Sequence, residues 1–231
     1  MFGSLIQPFD HYWKDTVLLA RMNGLDTGTT FIDERGHAMT AQNNAQTSTA
    51  QSKWNGSSYL SDGSGDAVTI PDHNDYELGS GDFTIECWIR YSNAIGTSTI
   101  VQKGQTYNSN ASFRFYNTST QLIFKFSTTG STYSAYTVQG NHGMVIDTWY
   151  HVAITRISGS GRIFVDGVLK AGPSTISDAF YNYTGPVIIG SNYTGTYTET
   201  LDGYMQDLRI TKGKGRYSAA FTAPKQPFPN A

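Results

Sequence analysis

The chain is 231 residues long with a formal net charge of −2, and charged residues make up 15% of it. That balance leaves no electrostatic footprint for nucleic acid, and no apolar run is long enough for membrane insertion. The 24 glycines and 15 tyrosines, among abundant Ser, Thr and Asn, suit many short strands joined by tight turns.

Residues 1–15 stand apart. Phe2, Leu5, Ile6, Phe9, Tyr12 and Trp13 fall in a segment without strand alternation, and so many large apolar side chains do not suit a disordered leader. They either pack back on the domain or dock on a partner. We read 1–15 as an N-terminal arm, with Phe2, Leu5, Ile6, Phe9 and Trp13 as partner-binding residues, ahead of one domain over 16–231. The start of the sequence lacks the basic leader and apolar core of a secretory signal, so a soluble chain made in the cytosol is expected.

Val17 to Met22 reads as the first strand and Thr30 to Asp33 as a second, with Glu34 to His37 as a turn. Polar residues from Gln42 to Lys53 suggest a loop or weak edge strand. Ser58 to Ser61 and Asp66 to Ile70 are strands separated by a Gly-rich turn, and Pro71 stops the second. Asp72 to Gly81 is a loop with room for one helical turn. Asp82 to Tyr91 alternates most regularly: Phe83, Ile85, Cys87 and Ile89 face a core, while Thr84, Glu86, Trp88 and Arg90 take the other face. The lone Cys87 is expected to be inert core filler.

Strands follow at Ile100 to Lys103, Ala111 to Tyr116, Gln121 to Ser127 and Thr132 to Val138. Thr148 to Ala171 is a three-strand antiparallel meander, in which Asp166-Gly167 has the chemistry of a type I′ hairpin turn. Pro186 to Gly190 and Leu201 to Ile210 close the sheets, and a Pro-rich tail is held extended. More than ten short strands without a convincing helix imply an all-β, two-sheet antiparallel sandwich of jelly-roll type.

Five stretches carry a resemblance over roughly Val17 to Asn230: Ser61 to Asp66, Gly81 to Trp88, Trp149 to Arg156, Phe164 to Gly167 and Leu201 to Ile210. In that order they resemble the concanavalin A-like lectin/glucanase superfamily, in its laminin G-like form. The last stretch, with the Gly215 to Pro224 sequence and the Pro-Phe-Pro ending, looks like laminin G-like domains of bacteriophage tail, fibre and head proteins. The resemblance implies the jelly roll and a habit of binding glycans or protein surfaces. It also implies one structural Ca²⁺, for which Asp33 and Asp207 are the matching metal ligands, although Gln206 and Leu208 around Asp207 leave few carboxylates. In the competing reading Asp33 caps a turn and Asp207 pairs with Arg209 or Arg35.

Glucanases of this superfamily set carboxylates on alternate strand residues, about 5–5.5 Å apart. No such run exists here, no nucleophile motif is present, and His11, His37, His73, His142 and His151 show no metal spacing in sequence. The chain therefore reads as a non-catalytic surface-binding module. Sugar C–H faces need exposed rings with amides and hydroxyls beside them. Three loops offer these as ligand-binding candidates: Tyr107, Asn108 and Asn110; Tyr181 and Tyr183; Asn192, Tyr193 and Tyr197. Trp54, Trp88 and Trp149 are placed in the core. Two functions stay open: a lectin-like virion module recognising glycan or a host cell surface, or a structural decoration or adaptor protein that uses the fold as scaffold. Both locate the chain in a phage particle, joined to other virion proteins through the arm and compatible with a homo-oligomer.

Overall fold

The computed structural model describes residues 9–105, 110–133 and 137–230. Its strands are, in chain order, β1 (Thr16–Ala20), β2 (Thr40–Gln42), β3 (Gln46–Ser48), β4 (Ser58–Asp62), β5 (Ala67–Ile70), β6 (Phe83–Tyr91), β7 (Ser98–Gly104) and β8 (Ala111–Asn117). They continue with β9 (Gln121–Phe126), β10 (Thr137–Asn141), β11 (Tyr150–Ile157), β12 (Ser160–Val165), β13 (Val168–Thr175), β14 (Val187–Ile189), β15 (Asn192–Tyr193), β16 (Tyr197–Thr198) and β17 (Asp202–Lys212). Only two 3-10 turns, Trp13–Asp15 and Asn74–Tyr76, interrupt the pattern among the described residues.

The first sheet has the order β13-β12-β11-β6-β17-β4-β3, with β1 also paired to β17; the second runs β10-β9-β8-β7-β14-β5-β2. A small β15–β16 hairpin stands outside both. All pairings are antiparallel, so the fold is the expected sandwich. Alternation explains the core: Phe83, Ile85, Cys87 and Ile89 from β6 are fully buried with Val152, Ile154, Phe113, Phe115, Phe124 and Val187. Burial pushes the Cys87 thiol up, with the Glu86 charge adding to it, as suits an inert sulfur.

At one end of the core Arg156 is buried, and its guanidinium donates to the carbonyls of Leu78 (3.1 Å), Gly79 (2.7 Å), Gly81 (2.7 Å), Ile176 (3.4 Å) and Asp178 (3.3 Å). One side chain thus satisfies the loop carbonyls that close that end. Asp166 and Gly167 take φ of 49° and 78°, the left-handed pair a type I′ turn requires.

Two sequence expectations change, and one holds. Thr30 to Asp33 forms no strand and contributes a single bridge, Ala20 to Asp33. Within the polar 42–53 stretch the chain forms the short edge strand β3, as the loop-or-weak-edge-strand reading expects, pairing on the free edge of β4. The domain also begins earlier than residue 16. Asp10 is buried and binds both Arg209 (3.2 Å) and Arg216 (2.8 Å), so the chain is built into the domain from Asp10 onward.

Candidate functional site

The outer face of the first sheet carries charge under cover. Glu86, Arg209 and His151 project there from β6, β17 and β11, and residues 213–230 lie across them. One Glu86 oxygen accepts from Arg209 at 2.7 and 2.9 Å, and the other from His151 Nε2 (2.9 Å) and Tyr217 (2.7 Å). Burial alone raises the Glu86 carboxyl; Arg209, with His151 and Arg216, reverses this and holds it well below the ordinary carboxylate range. For Asp10, burial is likewise opposed and outweighed by Arg216, the Tyr12 N–H and Arg209, which lower it. Tyr217 stacks on Phe221 at 3.6 Å, and Phe228 lies 3.9 Å from the Arg209 guanidinium carbon, so the tail seals the network. Glu86, with both oxygens taken, faces no groove.

Beside that seal the same face opens into a cleft of about 580 Å³ lined by Lys53, Trp54, Trp88, Trp149, Asp166 and residues 222–225. Trp88 forms the floor; Trp54 meets it edge-on at 5.7 Å, and Lys53 Nζ lies 4.1 Å from its ring centroid. The cleft is held from below. Buried Gln206 accepts from the N–H groups of Lys53 (2.8 Å) and Trp54 (2.9 Å) and donates to the carbonyls of Trp54 (2.8 Å) and Ser57 (2.9 Å). Asp166 accepts from the His151 N–H at 2.8 Å, and Gly167 receives the Phe221 N–H at 3.0 Å, which pins the tail wall. The indole N–H groups of Trp54 and Trp88 are buried without hydrogen-bond partners. Sequence reasoning placed Trp54, Trp88 and Trp149 in the core; Trp88 is buried as expected, whereas Trp54 and Trp149 are half-buried around the cleft. The signal was available in the alternation, which sets Trp88 on the face opposite Phe83, Ile85 and Cys87.

The tyrosine loops separate into two groups. Asn110, Tyr181 and Tyr183 lie toward one end of β7: the Ala111 N–H donates to Gly130 (2.9 Å), the Tyr181 N–H to Ser127 (2.7 Å), and the Tyr181 ring packs on Gly130. Tyr181 is exposed and Tyr183 half-buried. Tyr107 and Asn108 lie outside the described residues. Tyr193 and Tyr197, 5.1 Å apart and half-buried, sit at the other end of β7, about 20 Å away at strand rise. The described parts of these loops therefore do not form one site. Asn192 is buried and donates to Glu199 at 2.8 Å, which makes it an internal brace of the hairpin.

Asp33 and Asp207 do not converge either. They flank β1 on opposite sides, since Ala20 bridges to Asp33 and pairs with Leu208. Asp33 accepts from the N–H groups of Leu19 (2.8 Å), Arg35 (3.1 Å) and His37 (3.2 Å), the work of a turn cap. Asp207 sits on a bulge of β17 with φ of 50° and meets Arg21 (3.3 Å) and the Phe228 N–H (3.1 Å). Burial raises the Asp207 carboxyl despite Arg21. Among the described residues, His37, His73 and Asp75 do bring three ligand atoms within 4.8 Å of one another. Phe2, Leu5 and Ile6 lie outside the described residues; Phe9 is exposed, and Trp13 is half-buried under Arg35, 4.9 Å from its ring.

The family model described as the concanavalin A-like lectin/glucanases superfamily matches residues 62–214, well over half the chain. The chain belongs to this superfamily. Among solved structures, this lectin/glucanase-superfamily chain is similar to the botulinum neurotoxin serotype D ligand-binding domain in complex with N-acetylneuraminic acid, at 16% identity and TM-score 0.63, covering 89% of this chain and 49% of that one. The binding domain of botulinum neurotoxin DC in complex with SialylT gives 14% identity and TM-score 0.62, over 89% and 50% of the two chains. The binding domain of Paraclostridial Mosquitocidal Protein 1 gives 11% and 0.63, over 91% and 50%. The chain thus spans about half the length of these structures, and at such identity the likeness is one of fold. No curated protein matches the sequence.

Proposed function

We propose that the chain is a non-catalytic, lectin-like module that binds carbohydrate in the tryptophan cleft. The observation that carries this reading is the cleft itself: indole surfaces around an open hollow, with Lys53 and Asp166 at its edge and Gln206 fixing the backbone beneath. Sugars present C–H faces that stack on aromatic planes and hydroxyls that need donors and acceptors. Support also comes from the fold neighbours solved with sialic acid or a sialylated ligand. On this reading the module sits on a virion and a host-surface glycan is its target, as the resemblance of Leu201 to Ile210 and the Pro-rich ending to phage tail, fibre and head domains suggests.

A glycan array probed with the full chain tests this. We expect selective retention, lost by at least tenfold in Trp149→Ala and retained in Tyr193→Ala. Absence of any retained glycan, or binding indifferent to both Trp149→Ala and Trp54→Ala, refutes the cleft. The adaptor reading is favoured by one observation: exposed Phe9 borders a groove of about 440 Å³ lined by Tyr12, Arg216 and Pro224 to Pro229. In it, Phe2, Leu5, Ile6 and Phe9 anchor the module to a neighbouring virion protein.

A further inference from the structure

We infer that His37, His73 and Asp75 form a binding site for a zinc-class divalent transition metal, with Asp33 orienting His37 from behind. The geometry starts at Asp33, whose side chain has no solvent exposure and whose Oδ2 lies 2.6 Å from His37 Nδ1. A carboxylate fixed by three backbone N–H groups only accepts, so Nδ1 carries the hydrogen and the His37 lone pair sits on Nε2. That lone pair points at Asp75 Oδ2, 3.1 Å away. On the other side, His73 Nδ1 accepts the Asp75 backbone N–H at 3.2 Å, so it is unprotonated and its lone pair is engaged by that hydrogen, 3.2 Å from the same Oδ2.

His37 Nε2 and the Asp75 carboxylate therefore face each other as two electron-pair donors, with the His73 Nδ1 pair, engaged by the Asp75 N–H, beside them. Either a proton on His37 Nε2 or a metal ion between the three relieves this. The donor set argues for the metal. Two imidazoles and a carboxylate suit zinc, copper, nickel or cobalt rather than calcium, which takes six to eight oxygens. Zn–N bonds of about 2.0–2.1 Å give a tetrahedral ligand-to-ligand edge of about 3.3 Å, close to the two observed separations. The remaining pair lies within 4.8 Å, and the half-exposed His73 ring is free to close it, exchanging its bond to the Asp75 N–H for the metal. Asp33 supplies the outer carboxylate that metal-bound histidines ordinarily have, fixing tautomer and ring angle. The solvent-facing His73 side leaves room for water or an outside ligand.

The consequence would be mechanical. The ion would tie the 33–37 turn to the 72–77 segment, whose Asp72 binds Lys103 at 2.5 Å and whose Glu77 accepts from Asn182 at 2.6 Å, between Tyr181 and Tyr183. The inference needs no glycan and stands apart from the reading of the cleft.

Isothermal calorimetry on the metal-stripped full chain tests it, with Zn²⁺, Co²⁺ and Ca²⁺ as separate titrants. We expect one saturable Zn²⁺ site per chain, visible Co²⁺ absorption of low-symmetry N/O coordination, and no Ca²⁺ heat. His73→Ala, at an exposed side chain, and Asp75→Asn, an isosteric change at a partly buried one, should each remove the site, and Asp33→Asn should weaken it about 10–100-fold. No saturable Zn²⁺ binding at millimolar concentration would overturn the inference. Binding that survives the His73→Ala/Asp75→Asn double variant, or Ca²⁺ taken in preference to Zn²⁺, would overturn it equally.

Discussion

Glu86→Gln is the sharpest probe of how the sheet face under the tail is held. Glu86 and Asp10 supply two negative charges to two buried arginines, Arg209 and Arg216, so the native cluster balances. Glutamine keeps the shape but leaves one positive charge uncompensated, and places an amide N–H₂ against His151 Nε2 and the Tyr217 hydroxyl or against Arg209. Breaking a buried pair on one side costs about 3–5 kcal/mol. At roughly 2–4 °C per kcal/mol for a chain of this size, the melting temperature should fall by about 6–20 °C. The pH dependence gives a second reading with a definite sign. The folded Glu86 carboxyl is held below its unfolded value, so its stabilisation is complete above the unfolded pKa of about 4.3 and declines as pH falls toward the folded one. Between pH 4 and 2 the wild type should lose up to about 1.4 kcal/mol per pH unit through this group, a slope missing from Glu86→Gln. Urea melts followed by tryptophan fluorescence at several pH values measure both. A cost below 1 kcal/mol at pH 7, or parallel acid slopes in the two proteins, would refute the account.

Two further outcomes follow from the same contacts. Removing residues 1–8 should leave the melt unchanged, whereas removal through Asp10 should cost about 3–5 kcal/mol because Arg209 and Arg216 lose a carboxylate; equal melts for the two truncations would return Asp10 to the arm. Gly167→Ala should destabilise by at least about 1 kcal/mol from its left-handed φ of 78°, and its Cβ would meet the Phe221 carbonyl, so the tail should become protease-sensitive and the cleft lose its wall. An unchanged digestion pattern would show that the Gly167 contact does not pin the tail.

Local chemistry determined much of this fold. The alternation of Phe83, Ile85, Cys87 and Ile89 dictated the buried face of β6, and Asp166-Gly167 dictated the β12–β13 hairpin turn, because pleat and left-handed φ are properties of adjacent residues. The prolines kept the tail extended for the same reason. What covers what lay beyond such rules. The outward face of β6 is polar by pattern, and only the packing of residues 213–230 shows that Glu86 and Arg209 are sealed while Trp88 opens to a cleft. Asp33 and Asp207 looked like a pair because both fit a family position, yet a single strand, β1, separates them. His37 and His73 lack metal spacing in sequence and meet only because the 33–37 turn and the 74–76 3-10 turn close on each other in space. Short-range conformational preference is written residue by residue, whereas the company a side chain keeps depends on long-range packing among strands far apart in the chain, and that was settled in the tertiary structure.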